Sequence, residues 1–178
     1  MAKKAKLLWM DLEMTGLEPE KDRILEVACV WTGWDLEMMG SYEGVVAVDE
    51  KTVKSRMVGA FWDDHADLRE KLMSQNISGK PVTEVEKEIL AIIEEKFGTE
   101  VYLAGNSIHQ DRKFIDREWP ELSKRLHYRM LDVSAWKIYF EGTRHKRFVK
   151  PEEHRAMSDI LGSIEEMKYY KKFIKEKL

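Results

Sequence analysis

A chain of 178 residues, 43% hydrophobic and 35% charged, can bury a core without disulfide or metal staples and has the composition of neither a disordered nor a membrane protein. Its formal net charge of -3 argues against tracking along nucleic-acid polymers, because affinity for a long polyanion grows with the number of phosphates neutralised; a ligand with few phosphates suits it better. The one cysteine, Cys29, rules out an intramolecular disulfide, and its apolar neighbours predict a buried thiol in a reducing compartment.

The basic start Met1-Ala2-Lys3-Lys4-Ala5-Lys6 is followed by an apolar run, Leu7 to Met10, that stops at Asp11. That run is too short for a signal peptide or a membrane span, so a cytoplasmic protein without membrane attachment is expected. Leu7 to Glu13 reads as a strand, apolar except for two carboxylates two residues apart, and Thr15 to Glu20 as a turn-rich connection. Ile24 to Trp31 is a second strand, Thr32-Gly33-Trp34-Asp35 a hairpin loop, and a third strand is expected near Gly44 to Val48. Short loops between the three imply antiparallel neighbours.

From Thr52 to about Gln75 the pattern is helical, and Gly79-Lys80-Pro81 breaks the chain. Thr83-Glu84-Val85-Glu86 fits a capping box, with Thr83 as N-cap and Glu86 at the third helical position. Val85, Ile89, Ile92, Ile93 and Phe97 form one apolar helical face, and Gly98 suits the C-terminal cap. Val101 to Ala104 is a short strand, Gln110 to Glu118 a helix stopped by Pro120, Met130 to Val133 a strand, and Trp136 to Tyr139 helical. The basic stretch Thr143 to Lys150 reads as a solvated loop, and Ala156 to Lys177 as a long helix. With no repeat, low-complexity tract or linker, residues 1–178 are expected to form a single α/β domain: a three-stranded meander, then alternating helices and strands in a mixed sheet.

The chemistry lies in three places. Successive strand residues alternate faces, so Asp11 and Glu13 project from the same face of the first strand. Two carboxylates there are costly unless a cation or proton neutralises them, and paired hard oxygen ligands are what Mg2+ or Mn2+ requires; a strand edge in water is the plain alternative. Asp111 follows Gly105-Asn106-Ser107-Ile108-His109-Gln110 where a strand end meets a helix start, a usual place for sites in open α/β sheets. In His154-Arg155-Ala156-Met157-Ser158-Asp159, a spacing of five is about 140° out of phase on a helix, which sets His154 in the loop or first turn and Asp159 on the helix.

Together Asp11-Leu12-Glu13-Met14-Thr15-Gly16-Leu17, Gly105-Asn106-Ser107, His127-Tyr128-Arg129 before Leu131-Asp132-Val133-Ser134, and His154-Arg155-Ala156 with Asp159 resemble the oligoribonuclease family, from about Leu7 to Ile174. This family belongs to the DEDD exonuclease group, which has four acidic ligands and a catalytic histidine. The resemblance implies an RNase H-like fold with a mixed five-stranded sheet flanked by helices. It also implies a 3'→5' exoribonuclease that hydrolyses very short RNA, two to about five nucleotides and especially dinucleotides, to nucleoside 5'-monophosphates. By the same resemblance Asp11, Glu13, Asp111 and Asp159 would hold two divalent cations, Mg2+ or Mn2+, and His154 would be the general base. Leu17 would wedge against terminal bases, a homodimer partner would supply Tyr128 and Arg129, and Ser107, Arg129 and Ser134 would bind the 5'-phosphate.

Three departures stand out. The family's tryptophan-and-histidine segment appears only as Phe61-Trp62-Asp63-Asp64-His65, without the Ser-Gly-Leu stretch that follows in the family, so Trp62 is either a base-stacking residue or a core aromatic. Ser158 replaces a second aspartate beside the ligand, and the segment from Phe140 to Pro151 is shortened. The rival readings are a proofreading or tRNA-trimming exonuclease, which lacks the His127-Tyr128-Arg129 run, and a catalytically silent binding module, which would have lost one of the five catalytic positions.

Overall fold

A computed structural model describes residues 4–149 and 155–174 of the chain. His154 and the end of the expected last helix lie outside the described residues. Five strands form one sheet in the order β3-β2-β1-β4-β5: β1 is Ala5–Met14, β2 Ile24–Thr32, β3 Met38–Val45, β4 Phe97–Gly105 and β5 Met130–Asp132. The first three are an antiparallel meander, whereas β4 runs parallel to β1 and β5 parallel to β4. Eight helices are described: α1 Glu50–Arg56, α2 Ala60–Asp64, α3 Ala66–Asn76, α4 Val82–Lys96, α5 His109–Glu118, α6 Pro120–Arg125, α7 Val133–Arg144 and α8 Ala156–Lys171.

Both faces of the sheet are covered, which is why β2 is buried at every position and reads as a continuous apolar run. Leu8, Met10 and Leu12 of β1 pack with Val85, Ile89 and Ile93 of α4 and Phe114 and Ile115 of α5. Leu7 and Trp9, on the opposite face, pack with Ala156, Ile160 and Ile164 of α8. The period-2 alternation that sends Leu7 and Trp9 towards α8 carries Asp11 and Glu13 to the same side. Strand β1 therefore brings its carboxylates to the face where α8 begins.

Four local expectations are corrected. The third strand starts at Met38 and ends at Val45 rather than spanning Gly44 to Val48. It is an exposed edge strand with little apolar signal, and Val46 leaves it to bridge Lys80. The helical stretch from Thr52 is three helices, interrupted at Gly59, whose φ of 101° only glycine adopts cheaply, and again at His65. Helix α4 starts at Val82 after Pro81 with no side-chain cap. Glu86, expected to close a capping box with Thr83, turns inward and accepts hydrogen bonds from the backbone N–H groups of Glu121 (2.8 Å) and Leu122 (3.0 Å), first-turn donors of α6 that have no partner within the helix. Gly98 caps nothing: Phe97 is already extended and pairs with Ala5, so the chain passes from helix to strand without a left-handed residue. Pro120 begins α6 besides ending α5.

Candidate active site

Carboxylate oxygens of Asp11, Glu13 and Asp159 all lie within 4.8 Å of one another. Two come from the carboxyl-terminal half of β1 and the third from the first turn of α8. Asp159 is held there by its own helix end, since the Arg155 N–H donates to Asp159 Oδ2 (3.2 Å). Burial, first, and the charges of Asp11, Glu26 and Asp159 push the Glu13 carboxyl up to about 9, and the Arg155 guanidinium only partly offsets them. Such a cluster is unfavourable with all its charges present and no counterion. The donor set is all carboxylate oxygen, which fits a hard divalent cation.

Asp111, in the first turn of α5, stands outside that triad. Its Oδ1 accepts a hydrogen bond from the Leu12 N–H (3.0 Å), the residue between Asp11 and Glu13. Burial raises its carboxyl to about 7, with the Asp132 charge adding to the effect. A divalent cation held by the triad would have to displace the Glu13 proton, so its apparent affinity should rise as pH climbs towards 9. Calorimetry of Mg2+ or Mn2+ binding at pH 7 in buffers of different ionisation enthalpy should detect proton release; a signal independent of buffer would contradict it.

One residue of this site, Glu26, lies outside every motif of the sequence. Glu26 on β2 pairs in register with Glu13, is 3% exposed, and accepts from the Arg155 guanidinium at 3.0 and 3.3 Å and from Gln75 of α3. A lone acid in the apolar run Ile24-Leu25-Glu26-Val27-Ala28-Cys29 was the available hint. Arg155 thereby ties the start of α8 to the sheet beside the triad.

Leu17 is 70% exposed on the β1–β2 connection. Its loop is pinned from within: Asp22 accepts from Thr15 Oγ1, the Glu18 N–H and Arg56, while Gln110 Nε2 donates to the Leu17 carbonyl (2.7 Å). Of the two readings open for Trp62, the packing is that of a core aromatic. Its indole is 5% exposed among Leu25, Val53, Met57 and Leu72, and Nε1 donates to the Thr15 carbonyl at 3.2 Å. Phe61, half exposed and stacked on His65 with ring centroids 4.4 Å apart, is the open ring of that segment.

Ser107 and Ser134 meet beyond the carboxyl ends of β4 and β5, with hydroxyl oxygens 3.1 Å apart, and the Ser107 N–H donates to Ser134 Oγ (2.9 Å) and Asp132 Oδ1 (3.0 Å). Asp132 also caps α7 by accepting from the Ser134 N–H. Tyr128 and Arg129 sit at the opposite, amino end of β5, both exposed, with the guanidinium 4.6 Å from the Tyr128 ring centre and the ring stacked on His127. The Arg129 N–H donates to His127 Nδ1 at 3.0 Å.

A mixed five-stranded sheet with an acidic centre on its first strand is the arrangement of a DEDD-type exonuclease domain, and the family model described as RNase_T exonuclease matches residues 8–167. Among relatives, the chain is 38% identical to an oligoribonuclease of Neisseria meningitidis serogroup B, over 96% of this chain and 93% of the relative. It is 36% identical to that of Coxiella burnetii, over 93% and 92%, and 32% identical to the human mitochondrial oligoribonuclease, over 97% and 74%. The chain belongs to the oligoribonuclease family. Among solved structures it is similar to a zinc-bound complex of Escherichia coli exonuclease I with single-stranded DNA, at TM-score 0.65 and 12% identity over 96% of this chain. The exonuclease I of Methylocaldum szegediense matches at TM-score 0.63 and 14% identity over 90%. The chain spans 41% and 39% of those two structures, and the likeness gives the fold, which is RNase H-like as expected.

Proposed function

We propose that this chain is a 3'→5' exoribonuclease that hydrolyses RNA of two to about five nucleotides to nucleoside 5'-monophosphates, within a single domain spanning residues 1–178. The observation that carries the reading is the Asp11–Glu13–Asp159 carboxylate triad, in a chain that belongs to the oligoribonuclease family. With Asp111 as a fourth ligand, the triad would hold two divalent cations, Mg2+ or Mn2+. When bound, such ions supply Lewis acidity to the scissile phosphate and lower the pKa of water.

The residues of the chain do the rest. His154 accepts the proton of the attacking water as that water's oxygen bonds to phosphorus and the 3'-oxygen of the preceding nucleotide leaves. Arg155 and Glu26 hold the start of α8, and so Asp159, against the sheet. Leu17 presses on the terminal base from a loop that Asp22, Arg56 and Trp62 keep in place, so Trp62 serves this loop from beneath. Ser107, Ser134 and Arg129 gather the 5'-phosphate. A digest of labelled RNA dinucleotide with Mg2+, with Mn2+ and with a chelator tests the reading: mononucleotides should form with either ion and not with the chelator. Undiminished cleavage in chelator would end it.

A homodimer belongs to the same reading. Arg129 and Ser134 flank the two ends of a three-residue strand, which at about 3.3 Å per residue separates them by roughly 10 Å or more of backbone. One chain's arginine therefore suits another chain's phosphate cap better than its own. Ala135, Ile138 and Tyr139, exposed along one side of α7, give such a contact an apolar surface. Mixing inactive Asp11→Ala and Arg129→Ala chains should then restore part of the activity through hybrid dimers, each with one intact site. A fully active monomer in light scattering would refute the shared site.

Among the described residues no helix is long and apolar enough to cross a membrane. A cytoplasmic location is part of the proposal, and the buried free thiol of Cys29 suits a reducing compartment.

A further inference from the structure

Glu166 is 1% exposed on α8 and has no part in the chemistry above. Its Oε2 accepts from Asn106 Nδ2 at 3.0 Å, and its Oε1 from the Tyr170 hydroxyl at 3.2 Å. The Tyr170 oxygen in turn accepts from the Phe148 N–H (3.4 Å), which turns the tyrosine proton towards Glu166. Asn106 Nδ2 also donates to Ser163 Oγ (2.9 Å), whose own proton goes to the Asp159 carbonyl (2.8 Å). Both neighbours on that side can only accept, so the Asn106 amide must present its NH2 to them and its oxygen to the other side.

On that other side the Ser134 hydroxyl donates to Asn106 Oδ1 at 3.2 Å. Its one proton is then committed, and its oxygen accepts from the Ser107 N–H (2.9 Å). In the Ser107–Ser134 hydroxyl pair Ser107 is then the donor, and it is the member that can turn its proton to a ligand without breaking the Asn106 contact. Ser107 is also held at a φ of 49°, a left-handed conformation that an ordinary L residue adopts only when its surroundings impose it. Asp132 and Ser134, both accepting from its N–H, impose it here.

We propose that Glu166 is a positioning residue for substrate selection: through Asn106 it fixes the donor direction of the Ser107–Ser134 pair, so that the Ser107 hydroxyl is the one offered to a terminal 5'-phosphomonoester. This rests on reading Ser107 and Ser134 as phosphate contacts. The relay sets which substrate binds, and the carboxylate centre sets how fast it is cut.

The test compares kcat and KM for two RNA dinucleotides, one with a 5'-phosphate and one with a 5'-hydroxyl, on the full-length chain. Glu166→Leu should raise KM for the phosphorylated dinucleotide by about tenfold, the weight of one hydrogen bond to a charged group, with kcat within about twofold. KM for the 5'-hydroxyl dinucleotide should not move. Glu166→Gln, which keeps an acceptor for Asn106, should retain most of the preference. Asn106→Ala breaks the relay from its half-buried end and should reproduce the loss, so it decides the matter if Glu166→Leu does not fold. A purely structural bridge would lower the melting temperature and shift both substrates alike, and that result would overturn the proposal. Ser107→Ala separates the two layers: if it leaves the preference intact, the phosphate contact itself is wrong and the proposal falls with it. If it erases the preference while Glu166→Leu and Asn106→Ala preserve it, the contact stands and the relay is wrong.

Discussion

Asp11→Ala and Asp159→Ala should each lower kcat by about a thousandfold while making the cation-free protein more stable. The loss follows because a bound cation contributes several kcal/mol of transition-state stabilisation, and each 1.36 kcal/mol is a factor of ten in rate. The gain in stability follows from the three carboxylates within 4.8 Å of one another, whose charges add to burial and the Glu26 charge in raising Glu13 to about 9. Removing one like charge relieves the other two, and about 1 kcal/mol of relief raises the melting temperature by about 2–4 °C in a chain of this size. Adding Mg2+ or Mn2+ should raise the melting temperature of the wild type and not that of either variant. His154→Ala should behave differently, losing about 10²–10⁴ in rate while keeping the cation-induced shift. Near-normal turnover by either aspartate variant would sink the metal assignment, whatever the stability data showed.

The second large effect concerns substrate length. With 5'-labelled RNAs at fixed salt, kcat/KM should fall roughly 10- to 100-fold between two and five nucleotides if Ser107 and Ser134 cap the 5'-phosphate as proposed, because a longer chain could not then place that phosphate there while its 3' end is at the triad. Loss of one hydrogen bond to a charged group, about 1.5–3 kcal/mol, sets that scale. The net charge of -3 gives no compensating attraction to a longer polyanion. Arg129→Ala should weaken the dinucleotide most, since a guanidinium binds a phosphate through two parallel hydrogen bonds and only the shortest substrate uses them fully. A flat or rising profile would mean an open groove, and the choice of short RNA as substrate would be wrong.

The acid-x-acid pair on an apolar strand was readable because the period of a strand is fixed by covalent geometry, and β1 does send Asp11 and Glu13 to one face. The bounds of the edge strand β3 are not legible in the sequence because the strand buries little, and burial is what writes a pattern into a sequence. Glu86 matched a capping box by spacing, yet two orphan donors of α6, 35 and 36 residues away, claimed its carboxylate. Trp62 in a charged helical stretch could be read as a stacking residue or a core aromatic; only the surrounding Leu25, Val53, Met57 and Leu72 decided for the core.

By itself the sequence determined the alternation of β1, the order of helices and strands, and the motifs that mark an oligoribonuclease, all of them properties of neighbouring residues. What the tertiary structure decided depends on segments far apart in the chain. Asp159 joins Asp11 and Glu13 across nearly 150 residues, because the apolar face of α8 packs on the same sheet face that β1 presents its acids to. Asp111 is turned to the Leu12 N–H, Glu26 is clamped by Arg155, and Asn106 is oriented by Glu166. In each case a buried polar group must find its partner wherever packing has left one, and no local spacing rule encodes where that will be.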